Sequence, residues 1–158
     1  MTAAPTVLVT GIGGQDGTLL AGELSARDGR TVGVLAPGLR DGAVEALGEL
    51  PGVELIEADL ADPSTCRQLV SDVRPDTVFH LAAISSVGRS WELPVETAQV
   101  NGMASVALMT ECLDLTRRNG REIRFVNASS AEIFAGTTRI PQDESTALAP
   151  NSPYGAAK

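Results

Sequence analysis

Tyr154 and Lys158 stand four residues apart, and on a helix that spacing places both side chains on one face. An ammonium beside a phenol favours the phenolate, so the pair can act as a base toward a hydroxyl group. By itself the pair carries little weight, because Tyr and Lys at this spacing occur on many solvated helix faces. A second group lies upstream in Asn127-Ala128-Ser129-Ser130-Ala131-Glu132, where the Ser130 hydroxyl and the Glu132 carboxylate are two residues apart. A third is Thr10-Gly11-Ile12-Gly13-Gly14-Gln15-Asp16-Gly17, with Gly11, Gly14 and Gly17 in G-x-x-G-x-x-G spacing. Glycines in such a turn let the chain reverse tightly, bring backbone close to a pyrophosphate and allow the next helix to pack closely. The N-terminus of that helix attracts the anion.

These groups need a frame that brings them together. Short apolar, β-branched runs recur at Thr6–Thr10, Thr31–Leu35, Val53–Glu57, Thr77–Leu81 and Ile123–Asn127, each bounded by turn residues, which predicts five buried strands. Helices are predicted at Thr18–Arg27, Asp41–Leu50, Ser64–Val73 and Pro94–Arg118, and another begins near Ser152 with Pro153 in its first turn. Repeated strand–helix units specify the α/β class: a Rossmann-like, doubly wound parallel sheet with helices on both faces. Residues 1–158 are expected to form one dinucleotide-binding domain.

In that architecture ligands bind at the carboxyl ends of the strands. The glycine turn follows the first strand. Leu35-Ala36-Pro37-Gly38-Leu39-Arg40 follows the second and offers no Asp or Glu for the ribose hydroxyls of NAD. Arg40 could instead accept a 2′-phosphate, which favours NADP and leaves NAD as the alternative. Asp59 and Leu60, after the third strand, are placed to contact the adenine. Leu81, Ala82 and Ala83, continuing into Ile84 and Ser85, supply small residues where backbone must pass near the dinucleotide. Ser130 and Glu132 emerge after the fifth strand, where nicotinamide and substrate would meet.

With 158 residues, of which 43% are hydrophobic, the chain has enough apolar mass for a core. Its net charge of −8, without a basic run, argues against nucleic acid or an anionic membrane as a partner. No stretch has the length of a membrane span and the start lacks a basic, then apolar leader, so a cytoplasmic location is expected. Cys66 and Cys112 lie far apart, outside any CxxC or His cluster, and read as core thiols rather than metal ligands. His80, the one histidine, falls within an apolar strand and is expected to be packed and hydrogen-bonded rather than catalytic.

Gln15-Asp16-Gly17, Leu81-Ala82-Ala83, Ser90-Trp91-Glu92-Leu93-Pro94, Ser130-Ala131-Glu132, Ile140-Pro141-Gln142 and Ser152-Pro153-Tyr154-Gly155-Ala156-Ala157-Lys158 together resemble the extended short-chain dehydrogenase/reductases. Within that family they look most like the GDP-mannose 4,6-dehydratases. The similarity covers essentially the whole chain but only the N-terminal half of such an enzyme, so the sheet is expected to be incomplete at the C-terminus and the substrate domain absent. Ala131, Ile84, Ser86 and Glu96 depart from the residues usual in that group.

The resemblance implies a lyase acting on a nucleotide sugar, with NADP as cofactor. Tyr154 would take the proton of the sugar C4 hydroxyl as hydride passes to NADP⁺, and Ser130 would hydrogen-bond the same oxygen. Glu132 would then remove the C5 proton and assist loss of water from C6, before the hydride returns to C6. Lys158 would also hold the nicotinamide ribose. The resemblance further implies a homo-oligomer in the full-length form. A related nucleotide-sugar epimerase or decarboxylase is the enzymatic alternative, and a dinucleotide-binding module without turnover the non-enzymatic one. The isolated chain is expected to be inactive, with Tyr154 and Lys158 poorly held by a helix of less than two turns.

Overall fold

The computed structural model describes residues 4–47 and 50–158. Five parallel strands form one sheet: β1 (Thr6–Thr10), β2 (Arg30–Leu35), β3 (Val53–Glu57), β4 (Thr77–His80) and β5 (Arg124–Asn127), in the order β3-β2-β1-β4-β5. The chain leaves β1 toward β2 and β3, then crosses to the other side for β4 and β5. The crevice where a doubly wound sheet binds ligands therefore opens at the carboxyl ends of β1 and β4.

Alternation along the strands divides the core in two. Leu8, Val32, Val34 and Val78 face α3 (Pro63–Val73) and α6 (Ala104–Asn119), where Cys66, Val70, Leu108 and Cys112 complete the layer. Val9 and Leu35 face the other way, toward α1 (Gln15–Ser25) and α2 (Arg40–Leu47), with Ile12, Ala21 and Leu47. Cys66 and Cys112 are free, buried thiols, and burial pushes both up to about 11, which keeps them protonated and inert. No group of His, Cys, Asp or Glu suited to a metal occurs among the described residues.

Capping chemistry fixes the helix limits. The Asp62 carboxylate accepts from the Ser64 N–H at 2.8 Å and Pro63 opens α3, while Arg74 closes it at φ 50°. Gly120, at φ 66°, closes α6. The expected end of α2 at Leu50 passes through residues 48 and 49, which lie outside the described residues.

The helix predicted at Pro94–Arg118 is not continuous. It is preceded by a short α4 (Val87–Glu92) and splits into α5 (Pro94–Thr97), a π-helical segment (Ala98–Met103) and α6. The wider π turn carries Asn101, whose side chain is buried. Its Oδ1 accepts from Ile84 N at 2.8 Å and its Nδ2 donates to Ile84 O at 3.2 Å. A tertiary bond of this kind draws the helix toward β4 and leaves no trace in hydrophobic periodicity. No helix among the described residues is long and apolar enough to cross a membrane.

Candidate functional site

The glycine turn is built for close backbone approach. Helix α1 begins at Gln15, three residues earlier than the Thr18 expected from periodicity, so Gln15, Asp16 and Gly17 form its first turn. Gly14, the residue before it, supplies no side-chain cap, and the first N–H groups of the helix face the crevice without one. Gly11 takes φ 72°, and its N–H donates to Val34 O at 3.0 Å. A Cβ on Gly11 would lie 2.7 Å from both Cα and N of Ala82, so the turn rests directly on the chain leaving β4. A bare, glycine-lined helix start at the switch point of a parallel sheet fits the pyrophosphate of a dinucleotide.

Other residues expected at the cofactor are placed unequally. Gly13, Gly14, Gln15, Asp16 and Ser85 are exposed around the turn, and Ala82, Ala83 and Ile84 are half-buried beside it. Ile12 is fully buried under α1 and Leu60 belongs to the layer beneath α3. Their side chains fill the core, so only their backbone can face a ligand. Asp59 uses Oδ1 to accept from Ala61 N at 2.9 Å, which orders the exposed turn after β3. Arg40 opens α2 and its Nη1 donates to Leu55 O at 2.7 Å, while Glu57 reaches across to accept from Gly38 N at 3.1 Å. The loop after β2 thus holds a carboxylate from the neighbouring strand that the β2 sequence itself lacks.

The proton-transfer candidates gather at the ends of β4 and β5. A short 3-10 turn, Ala131–Phe134, follows β5, and Ser130 caps it by accepting from Glu132 N at 3.2 Å. Helix α7 (Pro153–Ala157) packs against this turn, α4, α5 and the π segment. A Cβ on Gly155 would fall 2.6 Å from Glu132 O, so the absence of a side chain there lets the Tyr154 helix lie against the Glu132 backbone. Lys158 Nζ stands 5.8 Å from the Tyr154 ring centroid and donates to Ala128 O at 2.6 Å. Partial burial draws the Lys158 pKa below the usual lysine range.

The short α7 has tertiary anchors that its length does not reveal. Ser152 Oγ accepts from Gly155 N at 3.0 Å, and Ser90 Oγ, on α4, accepts from Tyr154 N at 3.1 Å. Ser90 is fully buried and donates its own proton to Val87 O at 2.6 Å. It caps the Tyr154 helix from another element, a role that sequence spacing cannot show. Ser90→Ala leaves a buried N–H without an acceptor and is expected to cost about 1–3 kcal/mol of stability. Urea unfolding checks the loss, and faster exchange of the Tyr154 amide locates it.

His80 is packed as expected. It is 2% exposed, with Nδ1 2.7 Å from Thr10 Oγ1. Burial, and secondarily the Lys158 charge, lower its pKa from 6.5 to about 4. The unfolded chain therefore takes up this proton near pH 6.5 and the folded chain only near pH 4. Stability from this group is complete above about pH 6.5 and falls on acidification toward about pH 4, by roughly 3 kcal/mol at 1.36 kcal/mol per unit. Denaturant titrations across that range should show the decline, and a decline absent from His80→Gln would assign it.

A doubly wound sheet with a glycine turn at its switch point, and a Tyr/Lys pair beside a Ser and a Glu after β5, defines the class of the extended short-chain dehydrogenase/reductases. Comparison with known proteins narrows this. The family model for GDP-mannose 4,6 dehydratase matches residues 8–158. Human GDP-mannose 4,6 dehydratase is 33% identical over 161 aligned residues, which cover 96% of this chain and 42% of that protein. Among solved structures, the UDP-N-acetylglucosamine 4-epimerase of Methanobrevibacter ruminantium, in complex with UDP-N-acetylmuramic acid, superposes with a TM-score of 0.79 at 28% identity. That match covers 99% of this chain and 47% of that one. Bordetella bronchiseptica WbmH, in complex with NAD⁺, gives a TM-score of 0.78 at 25% identity, covering 98% and 50%. The chain belongs to the GDP-mannose 4,6-dehydratase family. It spans less than half the length of the human relative.

Proposed function

We propose that residues 1–158 form the dinucleotide-binding and catalytic half of an NADP-dependent nucleotide-sugar 4,6-dehydratase acting on a GDP-mannose-like substrate. One observation carries this reading: Gly155 sets the Tyr154/Lys158 helix directly against the Glu132 backbone. This supports a hydroxyl-directed base and a carboxylate carried on two segments in direct backbone contact. Bound NADP would supply the hydride acceptor for oxidation at C4 and the donor for reduction at C6. The protein's own groups move the protons. Tyr154 takes the C4 hydroxyl proton, with Ser130 bonded to the same oxygen. Oxidation at C4 acidifies C5, where Glu132 removes the proton and assists departure of water from C6. Lys158 holds the nicotinamide ribose.

Gly11, Gly13, Gly14, Gln15, Asp16 and Gly17 would receive the pyrophosphate, Asp59 the adenine side, and Ala82 to Ser85 the middle of the dinucleotide. Arg40 would exchange its bond to Leu55 O for a 2′-phosphate. Arg40→Ala is then expected to weaken NADP⁺ about tenfold, equivalent to ~1.4 kcal/mol, and to leave NAD⁺ nearly unchanged. Paired titrations check this, and equal losses for both would remove Arg40 from the cofactor site. The assembled enzyme would be a cytoplasmic homo-oligomer, a setting that keeps Cys66 and Cys112 reduced.

GDP-mannose deuterated at C4 tests the reaction. Residues 1–158 alone are expected to bind NADP⁺ without turnover. Produced in one polypeptide with a substrate-binding half, they are expected to give a 4-keto-6-deoxy sugar with deuterium at C6. A C4-inverted, fully hydroxylated sugar would place the chain with the 4-epimerases it superposes on.

A further inference from the structure

His80 enters none of the proton transfers above, yet it touches both halves of the site. Its ring is buried at the carboxyl ends of the strands, in register with Thr10 of β1 and Asn127 of β5. Thr10 Oγ1 lies 2.7 Å from Nδ1 and also accepts from Ala82 N at 3.3 Å. On the other side, the His80 carbonyl accepts from Ala128 N at 3.0 Å, and the Ala128 carbonyl accepts from Lys158 Nζ at 2.6 Å. One residue thereby connects the Gly11–Ala82 contact to the ligand of the Lys158 ammonium.

The bonds also select a tautomer. Because the Ala82 N–H already donates to Thr10 Oγ1, the hydroxyl proton is available for Nδ1; a hydroxyl receiving two donors would leave its own proton without an acceptor. Nδ1 therefore accepts and Nε2 carries the hydrogen. Nε2 has no partner among the described residues, a cost that an apolar side chain in this place would avoid.

We propose that His80 is a positioning residue that sets the distance between the two points at which the site grips one dinucleotide. Its Nε2–H imidazole, through Thr10, fixes the Ala82 backbone relative to the glycine turn, whose own bonds to Val34 O hold it where the pyrophosphate would lie. Its carbonyl fixes Ala128, and through it the Lys158 ammonium, where the nicotinamide ribose would lie. This rests on reading the crevice as the dinucleotide site. A spacing device matters for a ligand that spans both points and not for one that reaches only the first.

The test uses Thr10→Val, which keeps the shape of the side chain and removes the hydroxyl, and Thr10→Ser, which restores it. Thr10→Val is expected to weaken NADP⁺ about tenfold and ADP, which reaches only the glycine turn, less than twofold; Thr10→Ser is expected to recover NADP⁺ affinity. Imidazole ¹⁵N shifts of the unmodified protein should report hydrogen on Nε2. Parallel losses for NADP⁺ and ADP, or hydrogen on Nδ1 in the unmodified protein, would overturn the proposal even if Thr10→Val failed to fold. Unmodified protein that bound neither ligand would remove the dinucleotide reading and the proposal with it.

Discussion

Gly17→Ala is expected to weaken dinucleotide binding up to about a hundredfold and to destabilise the fold, although it adds one methyl group to a helix. A Cβ at Gly17 would stand 2.3 Å from Gly11 O, 2.6 Å from Ile12 Cα and 2.7 Å from Ile12 C. All three are backbone atoms, so no rotamer change relieves the clash. Either α1 backs away from β1 or the Gly11 peptide turns, and both distort the surface that faces the pyrophosphate. Overpacking of this kind costs about 1–3 kcal/mol. At the upper end, a cost met by withdrawing the turn from its ligand is about a hundredfold in affinity. Gly22→Ala, in the same helix, is the control. Nothing lies within 4 Å of its Cβ, and replacing an interior helical glycine should stabilise the protein by roughly 0.5–1 kcal/mol. Urea unfolding should move the two variants in opposite directions, and NADP⁺ titration should show a loss for Gly17→Ala and none for Gly22→Ala. Tight NADP⁺ binding by Gly17→Ala would contradict the placement of the turn.

The second large effect separates Tyr154 from Glu132. In a polypeptide that turns over, Tyr154→Phe removes the group that accepts the C4 proton and is expected to slow the reaction by about 10²–10⁴-fold. Glu132→Gln leaves that first step intact and removes the acceptor for the C5 proton. Reduced-nicotinamide fluorescence should therefore build up after mixing Glu132→Gln with GDP-mannose and stay flat with Tyr154→Phe. Overall product formation should fall in both. Glu132→Gln that dehydrates the sugar at the unmodified rate would show that another group handles C5. The two residues sit on segments in direct backbone contact, since a Cβ on Gly155 would lie 2.6 Å from Glu132 O.

The strands were the most legible part of the sequence. β1 and β3 run over Thr6–Thr10 and Val53–Glu57 as their apolar runs predict, but the expected burial fails at the sheet edges, where Glu54 and Glu57 of β3 and Arg124, Val126 and Asn127 of β5 are exposed. Helix starts were legible where a side chain caps them, as Asp62 does for α3. They were not where glycine does the work: Gly14 caps α1 without a side chain, and the glycine-rich turn hides a helix that has already begun at Gln15. The π segment escaped for a different reason. Its extra width is stabilised by Asn101 bonding to Ile84, and a tertiary contact has no signature in a local pattern.

The site divides along the same line. Residue types that chemistry demands, such as the glycines, Ser130, Glu132, Tyr154 and Lys158, could be named from the chain. Direction could not. Ile12 and Leu60 sit beside motif positions, yet their side chains face the core, and Arg40 carries the expected charge but spends it on Leu55 O. Supporting residues were hardest to see. Ser90 acts across 64 residues of sequence on Tyr154, and Thr10 across 70 on His80.

The proposed reaction depends on a nicotinamide dinucleotide lying across the carboxyl ends of β1 and β4, with its pyrophosphate at the glycine turn and its nicotinamide end at Lys158. Titrating ¹⁵N-labelled protein with NADP⁺ tests that placement residue by residue. Amide shifts are predicted for Gly11 to Gly17, for Ala82 to Ser85 and for Ala128 and Lys158, with little change at Thr6, Asp76 and Arg124 at the opposite, amino ends of the strands. Shifts concentrated at those amino ends, or none at saturating NADP⁺, would contradict it.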